Sequence, residues 1–150
     1  MWPWAMLAVA LAVIAPILAR QAEDEHVVQD AQGLALAERM AVLRSAAQAW
    51  AHAHPGVDGP IDAALLPLPS WSHGDAATLH VLAQGPVVAV YATGPNARTV
   101  LLPMLRLASG SIWVGTAEHG TLHSPSAGDT GIAVPAGVPE QAPVWLAPRD

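Results

Sequence analysis

The first nineteen residues, MWPWAMLAVALAVIAPILA, carry no charged side chain, and Arg20 closes the run. No other feature constrains the fold of this chain as strongly. At roughly 1.5 Å of helical rise per residue the run reaches about 28 Å, close to the ~30 Å hydrocarbon thickness of a bilayer. A cleaved signal peptide would want Lys or Arg ahead of the apolar run, and none precedes it. Residues 1–20 therefore read as an uncleaved single-pass transmembrane anchor, with Trp2 and Trp4 at headgroup level and Pro16 kinking its far end. Arg20 alone is too little charge to set the orientation, which the residues leave open.

A helical pattern continues from Glu23 to His54. Leu36, Met40, Leu43, Ala47 and Trp50 recur at spacings of four and three and form one apolar stripe. Val28, Ala35, Val42, Ala46 and Ala53 widen it, while Asp30, Glu38, Arg44, Gln48 and His52 fall opposite. Gly33 is a weak point, costing about 1 kcal/mol relative to Ala, and His54-Pro55-Gly56 stops the helix. Residues 21–54 thus read as an amphipathic helix that, joined to the anchor, makes a rod on the order of 80 Å long.

Residues 55–150 read as a small α+β domain. Pro55-Gly56, Gly59-Pro60, Pro67 and Pro69 predict an irregular connection that tucks Ile61, Leu65, Leu66 and Trp71 onto the core. Strands are predicted at 78–82 and 87–93, around a hairpin-like gap at Gln84-Gly85-Pro86. Asn96 to Ala108 predicts a short helix that Pro103 is placed to split, ended by Ser109-Gly110. Residues 112–117 and 121–123 predict a second hairpin closed by Glu118-His119-Gly120, and a Gly/Pro-rich stretch leads to a last strand at 144–146. The expected class is α+β: a long N-terminal membrane-spanning and amphipathic helix, then a small mixed domain with an antiparallel sheet and one further short helix.

Composition removes several function classes. Charged residues are 12% of the chain, the net charge is −6, and all 6 cations are Arg. Without Lys there is no Walker A loop and no Schiff-base lysine. Without a basic stripe, nucleic acid is not an expected partner. The absence of Cys removes disulfides, thiolate metal sites and a Cys nucleophile. His119 and His123 with Glu118 form the best histidine cluster, yet they lack a third ligand from elsewhere and read as solvated turn residues. His52 and His54 diverge by about 200° on a continuing helix. Ser70-Trp71-Ser72-His73 places a hydroxyl near an imidazole without triad geometry, and Ser109-Gly110-Ser111 is not a nucleophile elbow. Asp58 and Asp62 read as turn residues. No catalytic, metal-binding or cofactor-binding residue is nominated, no cofactor or small-molecule substrate is expected, and the chain reads as a non-enzyme. Most of the 6 tryptophans read as core. Trp50, Trp71 and Trp113 are the candidates for contact with a partner, where aromatic side chains concentrate binding energy.

Four segments carry a family resemblance: AVLRSAAQAWAHAHPGVDG (residues 41–59), LPLPSW (66–71), SIWVGTAEHGTLHSP (111–125) and VPAGVPEQAPVWL (134–146). Behind a short apolar start, they are similar in order and spacing to the PilM family of thin type IV pilus systems, often plasmid-borne and conjugative. The matched landmarks are Gly, Pro and Trp positions. The resemblance implies an inner-membrane component of the pilus assembly machinery, a basal-body or pilin-transport part with other pilus-assembly proteins as partners. It also implies a single-pass protein whose C-terminal domain is periplasmic. The competing reading is a minor pilin or pseudopilin-like subunit, which shares the layout of a rod and an α+β head. Against it, the run Met1–Ala19 lacks the acidic residue and the processed Gly that pilins carry.

Overall fold

In the computed structural model, which describes residues 3–72 and 78–149 and the side chains of the first helix from Glu25 onward, one helix, α1, runs Pro3–Ala53. Strands β1 (Gly59–Pro60), β2 (Leu79–Gln84) and β3 (Val87–Ala92) come next. A short helix α2 (Leu101–Leu107) then precedes β4 (Val114–Glu118), β5 (Thr121–Ser124), β6 (Gly128–Ala133) and β7 (Pro143–Pro148). All pairings are antiparallel, in the order β1-β2-β3-β7-β4-β5-β6. The C-terminal strand β7 therefore lies in the middle of the sheet, between β3 and β4.

Turn chemistry fixes the two hairpins. Gln84 pairs with Val87 across Gly85-Pro86, and Gly85 takes a φ of 57° at the first central position, which suits the strand twist. Glu118 pairs with Thr121 across His119-Gly120, with φ of 52° and 80° at the two central residues. Two positive φ values mark the primed turn favoured in two-residue hairpins. Pro103 does not break α2. A 3₁₀ turn at Ala97–Val100 precedes the helix, so Pro103 falls in the first turn of α2, where its missing N–H is tolerated.

Helix α1, the 97–100 turn and α2 cover one face of β2, β3 and β7. Met40, Leu43, Val88, Val90, Val100, Met104 and Trp145 are buried in that layer. The other face holds a second cluster of Ala89, Ala117, Leu122, Val134, Val144 and Leu146. The sheet curls around this second cluster. A register shift between β5 and β6 bends that end of the sheet. The segment after β6 then reaches β2, where the Ala136 N–H donates to Gln84 Oε1 at 3.1 Å. As a result residues 143–147 of the central strand are all buried.

The buried stripe of α1 is Gly33, Ala37, Met40, Leu43, Ala47 and Ala51. At about 100° per residue this face is turned by roughly 40° from the expected stripe of Leu36, Met40, Leu43, Ala47 and Trp50, with which it shares Met40, Leu43 and Ala47. Small residues decide it, because they let the helix approach its neighbours most closely. A Cβ on Gly33 would stand 2.7 Å from the Thr99 carbonyl oxygen. The rotation corrects the expectation that Arg44 and Gln48 lie opposite. Arg44 Nε donates to the Leu146 carbonyl at 3.0 Å with its guanidinium 5.5 Å from the Trp145 ring centre, and Gln48 Nε2 donates to the Pro148 carbonyl at 2.9 Å. Val28, expected on the apolar face, is 54% exposed.

The expected membrane-spanning helix, and with it the single-pass inner-membrane location and periplasmic domain, is corrected. Among the described residues no helix is long and apolar enough to cross a membrane. From Glu25 onward α1 carries charges at 25, 30, 38, 39 and 44 and lays its apolar face on its own sheet. The Met1–Ala19 run falls among residues whose side chains lie outside the described set. What dominates the chain is the seven-stranded antiparallel sheet, in a mixed α+β protein.

Candidate partner-binding surfaces

The three tryptophans singled out from the sequence occupy unlike places. Trp50 is half-buried against the main core and stacks on the His54 ring, with centroids 4.2 Å apart. Trp113 is half-buried against the second cluster. Trp71 is 58% exposed on a 3₁₀ turn at Ser70–Ser72. Ile61 and Leu66 of the same connection are buried as expected, but Leu65, 62% exposed, and Trp71 are not tucked onto the core as the sequence suggests. The alternation of turns explains this split. Asp62 caps a 3₁₀ turn at Ala63–Leu65 by accepting from the Ala64 N–H at 2.9 Å, and that turn points Leu65 outward while Leu66 returns to the core. Trp71 is thus the candidate whose ring is free to meet another protein.

A second surface was not anticipated. Between α1 and α2 runs a groove of about 430 Å³, lined by Asp30, Leu34, Arg98, Leu102 and Arg106 among others. Leu34 and Leu102 are 45% and 66% exposed. Arg98 and Arg106 stand eight residues apart, a spacing that puts them on one side of a helical segment. That spacing was available in the sequence, but it becomes informative only once α1 is known to lie alongside.

The remaining polar candidates have structural employment. The His119 N–H donates to Glu140 Oε1 at 2.9 Å, and His123 Nδ1 lies 3.9 Å from Glu118 Oε2. Among the described residues no group of three His, Asp or Glu side chains could hold a metal ion. Ser72 Oγ donates to the Pro69 carbonyl, and His73 lies outside the described residues. Asp129 is held below the ordinary aspartate range, first by the Gly131 N–H and then by the Thr121 hydroxyl and the charge of His123. These contacts order the bend in β6.

Asp58 belongs to a clamp on the C-terminus. Arg149 Nη1 donates to Asp58 Oδ1 at 2.8 Å and to the Gly85 carbonyl at 3.2 Å. Its Nη2 donates to the carbonyls of His54 at 2.9 Å and Val57 at 2.7 Å. One side chain thereby joins the end of α1, the β2–β3 turn and the end of β7.

Comparison with known proteins agrees with the resemblance read from the sequence. A crystal structure described as a PilM protein from Escherichia coli B7A aligns with a TM-score of 0.56 at 19% identity, covering 81% of this chain and 94% of that one. A second, from Pseudomonas aeruginosa 2192, aligns with a TM-score of 0.47 at 27% identity, covering 78% and 94%. None of the curated proteins matches. The first alignment bears on the fold alone. The family rests on sequence: the PilM profile matches residues 7–146, and the chain belongs to the PilM family.

Proposed function

We propose that this chain is a non-enzymatic component of type IV pilus assembly that docks other pilus-assembly proteins through exposed side chains of its α+β head. The observation that carries the reading is the PilM-family match across residues 7–146, which brings a pilus-related role with it. The head supports the finer part, since it is well packed yet leaves Trp71 and Leu65 exposed at 58% and 62% on one short connection. Tryptophan is among the side chains that most often anchor protein interfaces.

Deletion of the gene, complemented by wild type or by Trp71→Ala, tests this. The deletion should abolish pili. Trp71→Ala should accumulate and melt like wild type but restore pili poorly, because removing an exposed ring leaves the core intact. Unchanged piliation in the deletion strain would sink the proposal. Blotting of sheared fibres separates it from the pilin reading, since an assembly factor stays with the cells.

A further inference from the structure

The connection after β1 alternates between surface and core. Leu65, Pro67, Pro69 and Trp71 are exposed, while Leu66 is buried and Leu68 packs against the main core. Two inward leucines thus pin an outward row of apolar side chains. A 3₁₀ turn brackets the row at each end, the first capped by Asp62 and the second closed by the Ser72 N–H on the Pro69 carbonyl at 2.9 Å. A row held in this way loses little freedom on meeting a partner.

Its hydrogen-bonding character is one-sided. The Leu66 N–H donates to the Ala63 carbonyl at 3.1 Å. The Leu68 N–H donates to the Leu66 carbonyl at 2.8 Å, in a three-residue turn centred on Pro67. Pro67 and Pro69 have no N–H at all. Over residues 66–69 the backbone therefore offers carbonyl oxygens and no free donor, which excludes the addition of a partner strand. Residues 63–72 carry no charge, and no Arg or Lys lies between positions 44 and 98. No cation in this part of the chain draws it to an anionic lipid surface.

We propose that residues 65–71 are the docking ridge of this protein and that its partner is a protein groove lined by tryptophan or tyrosine. Flat aromatic faces receive the outward prolines and Leu65. Indole N–H and phenol O–H groups donate to the carbonyls of Pro67 and Leu68, which accept no bond among the described residues. This is how proline-rich segments are read, with donors supplied by the groove and shape by the ridge. The inference rests on the docking role proposed above and names the chemistry of the partner.

The full-length chain with photoreactive p-benzoylphenylalanine in place of Leu65, or of the exposed Ala35 on α1 as control, is irradiated in piliated cells. Adducts are then digested and sequenced by mass spectrometry. Position 65 should give a protein adduct that position 35 does not, joined to a partner peptide that contains Trp or Tyr. Adding Pro67→Ala and Pro69→Ala should lower its yield about tenfold while the chain accumulates as before. The proposal is overturned by no adduct at position 65, by an adduct to lipid or to a second copy of this chain, by attachment to a peptide without Trp or Tyr, or by a yield indifferent to the two prolines. If the deletion strain lacks pili and position 65 still gives no adduct, the ridge fails and the assembly role stands.

Discussion

Gly33→Ala sets two effects against each other and shows which one governs α1. In an exposed helix interior the substitution gains about 1 kcal/mol, because alanine loses less backbone entropy than glycine. At this position the added Cβ would stand 2.7 Å from the Thr99 carbonyl oxygen and 3.2 Å from its carbonyl carbon. Ordinary contact between such atoms begins near ~3.5 Å. The obstacle is backbone, so no side-chain rotation relieves it. Pro103 contributes to the close approach, since it has no N–H to donate to the carbonyl four residues back and leaves that oxygen facing α1. The helix and the 97–100 turn must separate by several tenths of an ångström, loosening Val100 and Met104, both fully buried. Overpacking of this sort costs roughly 1–3 kcal/mol. Set against the propensity gain, the expected net loss is about 1 kcal/mol, or roughly 4 °C in Tm for a chain of this size. Urea unfolding followed by far-UV circular dichroism measures it, with Ala35→Gly on the exposed side as control. That control should lose about 1 kcal/mol through propensity alone. A Gly33→Ala protein more stable than wild type, beside a control that behaves as expected, would refute the reasoning.

Arg149→Met removes a side chain with four acceptors on two segments, residues 54–58 and the β2–β3 turn. Discounted for the exposed Asp58, the loss should be about 2 kcal/mol, and amide exchange should quicken first at residues 54–58 and 85. Arg44→Met should cost roughly 1–2 kcal/mol by taking a donor from the Leu146 carbonyl and a cation from the Trp145 ring; a neutral result in thermal melts would put Arg44 back in solvent. Leu122→Ala, fully buried in the second cluster, should cost about 2–5 kcal/mol. A loss no larger than that of a surface substitution would mean the sheet does not curl over that face. Asp129 has a lowered pKa, so its contribution to stability is present above the unfolded-state value and is lost as pH falls through the lower folded value. An NMR titration should find its midpoint below the ordinary aspartate range, with the Gly131 amide moving in step. A midpoint at or above that range contradicts the hydrogen bonding described.

The elements legible in the sequence are those whose signal is local. Gly85 and the His119-Gly120 pair announced their hairpins through turn chemistry, and Val87 to Ala92 announced a strand through branched side chains. β6 was not legible, because Gly-Asp-Thr-Gly-Ile-Ala has little strand character and becomes a strand by pairing with β5 around a bend. The stripe of α1 was legible through Met40, Leu43 and Ala47, but its centre lies to one side, because hydropathy weights large side chains whereas close approach selected Gly33, Ala37 and Ala51. Arg44 and Gln48 looked solvent-facing for the same reason, since nothing near them in sequence reveals the β7 carbonyls about a hundred positions away. Trp71 and Trp50 shared one ranking as candidates, although one lies on an outward turn and the other against the core.

Those long-range bonds also decide how the molecule presents itself. Arg44 and Gln48 lie one turn apart and donate to carbonyls on β7, so they fix the rotation of α1 about its own axis. Gly33 fixes its distance from the 97–100 turn. From Gly33 to Ala51 the helix is therefore held in angle and in depth, while Glu25 to Gln32 projects without cover. A rigid helix transmits its rotation along its length. The direction in which Val27, Val28 and Leu34 face is set by contacts several turns away, on the strand the chain completes last. Exchanging both Arg44 and Gln48 for Met should then quicken amide hydrogen exchange along Gly33–Ala51, whereas a change confined to the exposed Gln32 should leave it unaltered. If the double variant does not fold, Arg44→Lys is the milder test, because it keeps the charge while losing the directed Nε donor. Exchange that both variants leave unchanged would mean that these two bonds do not set the rotation of α1 on the sheet.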